Sequence, residues 1–305
     1  MAIRQTETLS AESVGLDALP DADMLARLLD GQIAALHAVE PAIPEIAKGA
    51  AIMARALRDG RRLYYAGAGS SALMGNADGL ELAGTFGTDP AQVCLCMAGG
   101  LPQDSAMPGD TEDDTEQAEQ DAAPIERGDV VIAVTASGAT PYAMRMAQLA
   151  RLKGARVIAI ANNANAAIFE GAEAAIYLAT PPELVAGSTR MGAGTAQKAA
   201  LNMMSTLMGA KLGHIHDGMM VNLRADNAKL RARAIGMVQQ ITGETEAGAK
   251  AALAQADGNV KAAILHLAGA PEPLALLQEH QGQLRPALIA QNSENSDQSN
   301  RERTQ

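Results

Sequence analysis

Tryptophan is absent from the 305-residue sequence, and only two phenylalanines and four tyrosines are present. The interior must therefore be assembled from Ala, Leu, Ile, Val and Met. Such a core lets helices and sheet approach closely and suits a helix-rich α/β protein better than a β-sandwich. Cysteine is almost as scarce: Cys94 and Cys96 are the only two, one residue apart in the apolar run VCLCMAGG. A chain of this length buries enough surface to fold without disulfides or a structural metal. On a strand the two thiols would share a face, which points to burial; no further cysteine or metal-spaced histidine accompanies them.

Positive charge is in deficit as well, with 24 Lys and Arg against 35 Asp and Glu for a net −11. That balance excludes general nucleic-acid binding and attachment to an anionic membrane, both of which need clustered cations. A phosphate on a ligand would then be held by local dipoles and hydroxyls. No basic segment followed by an apolar stretch opens the sequence, and no apolar run approaches the ~18–20 residues of a membrane span. The expectation is a soluble, cytoplasmic protein.

What is present is patterned. Residues 21–60 carry helical spacing punctuated by Pro41 and Pro44, with Asp21 or Asp23 as candidate caps. From Arg62 to about Pro181 the pattern changes. Short, near-continuously apolar runs (LYYAGAG, QVCLCMAGG, DVVIAVTASG, ARVIAIAN, AAIYLATPP) alternate with helical segments at 70–84, 111–125, 140–153 and 164–171. Strands covered on both faces read this way, and strand–helix alternation implies a parallel sheet with right-handed crossovers. Five such strands predict a doubly wound, three-layer α/β fold. Long helices are expected over 190–213 and 222–241, and a compact set of short helices over 241–270, with Thr245 and Asn259 as caps. Beyond Pro271 the periodicity fades, and the closing QNSENSDQSNRERTQ predicts disorder. The domain reading is 1–55 as an N-terminal helical segment, 56–220 as the α/β domain, 221–270 as a helical region and 271–305 as a mostly disordered tail.

Two loops share a design: AGAGSS (66–71) after the first strand and TASGAT (135–140) after the third. Each sets glycine and hydroxyl residues between the carboxyl end of a strand and the start of a helix. Free backbone N–H groups and the positive end of the helix dipole converge there, an arrangement that binds anions. Gly69, Ser70, Ser71, Ser137, Gly138 and Thr140 are the candidate contacts. The spacing is not G-x-G-x-x-G, because Ala72 stands where the third glycine would be, and the P-loop Gly-Lys-Ser/Thr is missing. A small phosphorylated ligand fits better than a dinucleotide. One such loop is also an ordinary strand-to-helix turn; the pair at one sheet edge marks a site.

A third segment, GSTRMGAGTAQK (187–198), opens a long helix and offers Ser188 and Arg190, with Glu183 just upstream. It reads either as a capped helix start with solvated cations or as another ligand-facing terminus. Among the carboxylates, Glu81 lies in the mostly apolar GLELAGTFG, where desolvation would favour its neutral, proton-donating form. Glu112 lies in the acidic run 104–121; from composition alone it is not separable from its neighbours. His214 and His216, at i and i+2 on a helix, would not converge on a metal.

Taken in order, AGAGSS, the Glu81 segment with TFGTDPAQV, AGG followed by TEDD, TASGATPY, PPELVAGSTRMGAGTAQK and NAKL resemble the N-acetylmuramic acid 6-phosphate etherase family, built on the SIS (sugar isomerase) domain. The resemblance covers roughly residues 5–270. It implies a SIS-type, flavodoxin-like, doubly wound parallel five-stranded sheet with N-terminal helices and a small C-terminal helical, UBA-like domain. It also implies a homodimer with the site near the subunit interface, and neither metal nor organic cofactor. The implied reaction, part of cell-wall amino-sugar recycling, cleaves the D-lactyl ether of N-acetylmuramic acid 6-phosphate to N-acetylglucosamine 6-phosphate and D-lactate. By this resemblance the catalytic glutamates are Glu81 and Glu112, and the phosphate-binding loops hold Ser70, Ser71, Ser137 and Thr140. In the elimination it implies, Glu112 is the base and Glu81 the acid, Glu81 being the drier of the two.

The sequence departs from the family pattern at three places: Leu73 or its neighbour stands where an Arg is usual, Gly109 where a Glu is usual, and Gly192 where a Lys is usual. Two further readings stay open: a non-catalytic sugar-phosphate-binding regulator similar to the glucokinase regulatory protein, and an aldose–ketose isomerase for which Glu183 would move the proton.

Overall fold

The computed structural model describes residues 6, 8–105, 107, 110–223, 225 and 227–302. Gly109 lies outside the described residues. The five apolar runs form the strands β1 (Leu63–Gly67), β2 (Val93–Met97), β3 (Val130–Thr135), β4 (Arg156–Ala161) and β5 (Ala174–Tyr177). All pairings are parallel, in the order β2-β1-β3-β4-β5. In this doubly wound order the direction of winding reverses between β1 and β3. The loops leaving those two strands therefore diverge to opposite faces and leave a crevice at their carboxyl ends. Register makes the ends flush: Gly67 pairs with both Met97 and Val134.

The helices are α1 (Asp21–His37), α2 (Ile43–Arg58), α3 (Gly69–Phe86), α4 (Thr115–Asp121), α5 (Pro141–Leu152) and α6 (Gly192–Lys211). They continue with α7 (Ala228–Thr242), α8 (Glu246–Gln255), α9 (Val260–Leu267), α10 (Pro273–Glu279) and α11 (Leu284–Glu302). Tyr64, Ala66, Cys96, Val131, Ala133, Val157 and Ala159 bury one sheet face against α4 and α5. The other face meets α2, α3 and α6: Gly49 of α2 lies on Ile158 and Met204, and Gly79 of α3 on Tyr65 and Leu95. Cys94 and Cys96 share the α4–α5 face, and burial raises both thiols, Cys96 to about 12.

The chain forms two compact units, Met1–Leu80 with Pro90–Leu207 and Glu81–Asp89 with Met208–Gln305. This differs from the expected division at 55 and 220. The boundary at 55 would cut α2, whose apolar stripe Ile46, Ala50 and Met53 is a layer of the sheet unit. In the second unit, α7 to α11 enclose a core that includes Val238, Leu253, Ile264, Leu277 and Leu284.

Other differences have local causes. Pro20, not an aspartate, is the N-cap of α1; Asp21 and Asp23 stand in its first turn, where they complement the dipole. Residues 164–171 hold only a 3-10 turn, Ala167–Phe169, because Gly138 presses against Ala166 and Ile168 bonds back to Gly138. His214 and His216 follow α6 in a turn. The region expected to be disordered after 271 contains α10 and α11, because Leu277, Leu284 and Ala287 bury themselves in the second core and anchor a polar continuation. Thr245 and Asn259 cap α8 and α9 as expected.

Candidate functional site

The loop after β1 turns directly into α3. Gly69 has φ +52°, and a Cβ built on it would stand 2.9 Å from Oε1 of Glu112. The absence of a side chain at 69 is therefore what lets the Glu112 carboxylate lie over the start of α3. Ser70 is half-buried and Ser71 buried, and neither hydroxyl has a hydrogen-bond partner among the described residues. Both are unspent donors beside the first free N–H groups of α3.

Glu112 sits in the 3-10 turn Asp110–Asp113. The turn is fixed from behind. Asp114 caps α4 by accepting from Gln117 N at 2.8 Å. The Gln117 side chain then accepts from Gly99 N at 2.8 Å and donates to Met97 O at 3.2 Å. The acidic segment is thereby tied to the carboxyl end of β2, beside β1. The neighbour Asp114 is committed to the α4 cap, and it is Glu112 whose carboxylate lies against the glycine loop.

After β3, three hydroxyls form a triangle: Thr135 Oγ1 lies 2.8 Å from Thr140 Oγ1 and 3.3 Å from Ser137 Oγ, and Ser137 lies 3.4 Å from Thr140. Gly138 N donates to Thr135 at 3.2 Å and Ala139 N to Ser137 at 3.2 Å, which turns the hydroxyl protons away from the backbone. Gly138, at φ +74°, leaves no room for a side chain, since a Cβ would meet Ala166 at 2.2 Å. Thr140 is the N-cap of α5 but makes no side-chain cap bond, so its hydroxyl serves the triangle. The buried Thr135 was missed among the candidate contacts; its position as the last residue of β3, facing the loop it feeds, was the available signal.

Glu183 is buried, and both its oxygens accept from the first turn of α6: Gly192 N and Ala193 N, each at 2.9 Å. It caps that helix, each oxygen accepting one backbone N–H. Gly192 is held small by this packing, with Glu183 Oε2 3.2 Å and Ala35 Cβ 3.3 Å from where a Cβ would stand. A side chain there would need Glu183 and Ala35 to give way by a few tenths of an ångström. The Ser188–Gly194 turn reaches α3, where Met74 lies 4.0 Å from the Cβ position of Gly194. Ser188 is half-buried and Arg190 exposed, without an ion-pair partner among the described residues. Leu73, at the site of the first family departure, is half-buried on the same turn of α3.

Glu81 stands on α3 about three turns beyond Gly69. It belongs to the other compact unit. It is exposed, as is Leu80 beside it at 67%. The expectation that Glu81 is the drier glutamate is corrected: in the single chain both it and Glu112 are exposed, because Leu82 turns inward while Glu81 shares the outer side of the helix with Leu80. No cluster of three or more His, Cys, Asp or Glu able to hold a metal ion occurs among the described residues, and none of their helices is long and apolar enough to cross a membrane.

A SIS domain model matches residues 31–162. Three full-length relatives carry one name, N-acetylmuramic acid 6-phosphate etherase. That of Streptomyces avermitilis is 40% identical over 291 residues, covering 93% of this chain and 93% of the relative. That of Burkholderia lata is 43% identical over 264 residues, covering 86% and 87%. That of Deinococcus radiodurans is 38% identical over 290 residues, covering 93% and 95%.

Proposed function

This chain belongs to the N-acetylmuramic acid 6-phosphate etherase family, and from that premise we propose that it is a carbon–oxygen lyase splitting N-acetylmuramic acid 6-phosphate into N-acetylglucosamine 6-phosphate and D-lactate. The observation that carries the proposal is the Glu112 carboxylate over Gly69, beside two hydroxyl-bearing loops at the sheet's switch point.

The hydroxyl triangle of Thr135, Ser137 and Thr140 and the free donors Ser70 and Ser71 hold the 6-phosphate by hydrogen bonds and helix dipoles. Ring opening makes C2 of the sugar α to an aldehyde, so its proton becomes removable. Glu112 takes that proton, and the electron pair forms the C2–C3 double bond as the C3–O bond breaks. The departing oxygen receives a proton from Glu81 and leaves as the hydroxyl of D-lactate. Water then adds its oxygen to C3 and a proton returns to C2, restoring the sugar. The elimination and the addition are each assisted by proton transfers and together exchange lactate for water with no net change of oxidation state, so two carboxyl groups and one water balance the reaction.

A second copy of the chain packed over Leu80 and Glu81 would shield the exposed Glu81 carboxyl from water, in keeping with a homodimer.

Incubation with N-acetylmuramic acid 6-phosphate should release D-lactate, with ¹⁸O from solvent entering the sugar at C3. Glu112→Gln and Glu81→Gln should each lower kcat about 10²- to 10⁴-fold. Substrate that raises the melting temperature while releasing no lactate would identify a regulator and overturn the lyase reading.

A further inference from the structure

The amino edge of the sheet carries a second feature, opposite the glycine loops. A cavity of about 330 Å³ is lined by Arg55 and Asp59 at the end of α2, Arg61 before β1, Arg127 and Gly128 before β3, and Arg156 opening β4. Because every strand is parallel, these residues lie a full strand length from the 67–71 and 135–140 loops, about 17–20 Å. Four arginines and one aspartate line this cavity, in a chain whose net charge is −11, and Glu126 and Glu173 are the further carboxylates within 4 Å of Arg61 and Arg156.

These arginines are not consumed by structural pairs. Arg55 approaches Asp59 only to 3.8 Å, Arg61 approaches Glu126 to 3.6 Å, and Arg156 approaches Glu173 to 3.7 Å. Those separations are beyond hydrogen-bond length. Arg127 has no ion pair at all among the described residues, and none of the four guanidiniums donates a hydrogen bond there. Four arginines whose guanidinium groups donate no hydrogen bond among the described residues therefore line one space.

The cavity walls also fix where the forks lie. The Arg61 side chain rests against Gly128, its Nε 3.3 Å from where a Cβ would be. Arg127 rests against Gly154, with Cγ and Nε at 3.5 Å. The two turns are joined by Gly128 N donating to Gly154 O at 3.2 Å. A side chain at Gly128 would push Arg61 back by a few tenths of an ångström, whereas one at Gly154 would meet Arg127 at ordinary contact distance.

We propose that this cavity is an anion site for a small phosphate-bearing molecule, separate from the site of the etherase reaction. Guanidinium forks match phosphate oxygens bidentately, and four cations against Asp59, Glu126 and Glu173 leave a local positive excess that favours an anionic ligand. The size suits a metabolite rather than a polymer, and occupancy would tie α2 to the turns before β1, β3 and β4.

The probe is inorganic pyrophosphate, titrated calorimetrically into the full chain at low salt. It should bind the wild type and weaken steeply with added NaCl. Arg127→Ala should lower that affinity at least tenfold while leaving D-lactate release unchanged without pyrophosphate, and Arg55→Gln should repeat the result if Arg127→Ala folds poorly. Binding should persist in Ser137→Ala/Thr140→Val, which addresses the carboxyl-edge loop alone. Equal affinity in wild type and both arginine variants, loss of all binding in the Ser137/Thr140 pair, or tighter binding of citrate than of pyrophosphate would each overturn the proposal.

Discussion

The Glu112 carboxylate occupies the space that a side chain at position 69 would need, with Oε1 2.9 Å from the Cβ position of Gly69. Gly69→Ala should therefore act on catalysis more than on the fold. The obstructing atom is the end of a flexible side chain, so it can swing away, and the φ of +52° adds about 1–2 kcal/mol of strain. A carboxylate displaced by about 1 Å loses on the order of a hundredfold in rate. Steady-state kinetics should show the fall in kcat with KM little changed, beside a modest drop in the unfolding midpoint.

Thr135 is the buried corner of the hydroxyl triangle and also accepts from Gly138 N. Thr135→Val should raise KM about tenfold with a small effect on kcat, since the phosphate is held alike before and during reaction. It should also cost about 1–3 kcal/mol in stability, because Gly138 N loses its acceptor. Ser137→Ala should raise KM with less loss of stability. A fall in kcat at constant KM would mean that the loop holds something that changes during the reaction.

Asp78, buried on α3, accepts from Tyr65 Oη at 2.8 Å, Asn202 Nδ2 at 2.7 Å and Ser205 Oγ at 2.8 Å. It ties β1 and α6 to α3. Asp78→Ala strands three donors and should cost about 3 kcal/mol or more, whereas Tyr65→Phe removes one donor and should cost about 1 kcal/mol. Denaturant melts of both and of the double variant should be strongly non-additive.

Lys261 is buried on α9 and donates to Gly213 O at 3.2 Å and Gly282 O at 3.1 Å. Burial lowers its pKa from 10.5 to about 8. Between these values the unfolded chain holds the proton and the folded chain releases it, so this residue makes stability rise as pH climbs from about 8 to 10.5. The gain is bounded at about 3 kcal/mol. Denaturant melts of wild type and Lys261→Met at pH 7, 8, 9 and 10 should converge or cross in that window. A constant difference would show that Lys261 does not titrate there.

Periodicity carries the strands and most helices because β1 to β5 are buried on both faces and must be continuously apolar, as VVIAVT and RVIAIA are. The glycine–hydroxyl loops are legible for a related reason, since backbone approach to an anion restricts the residue types. The role of Glu183 was not legible, because its partners are backbone N–H groups nine and ten residues on. The helices after 271 were hidden because few apolar residues suffice to anchor them once a core exists to receive Leu277 and Leu284. The environment of Glu81 was misread for a similar reason: apolar neighbours on a helix say nothing about which side of it a given residue takes.

The sequence by itself determined a parallel α/β sheet, the turn chemistry at its carboxyl edge and membership of the etherase family, since each depends on residue types at short spacing. Only the tertiary structure decided that Glu112, among its acidic neighbours, lies over Gly69, and that four arginines from separate segments share one cavity in an acidic chain. Those outcomes depend on crossovers that bring distant segments to one sheet edge. Spacing along the chain does not encode which residues meet there.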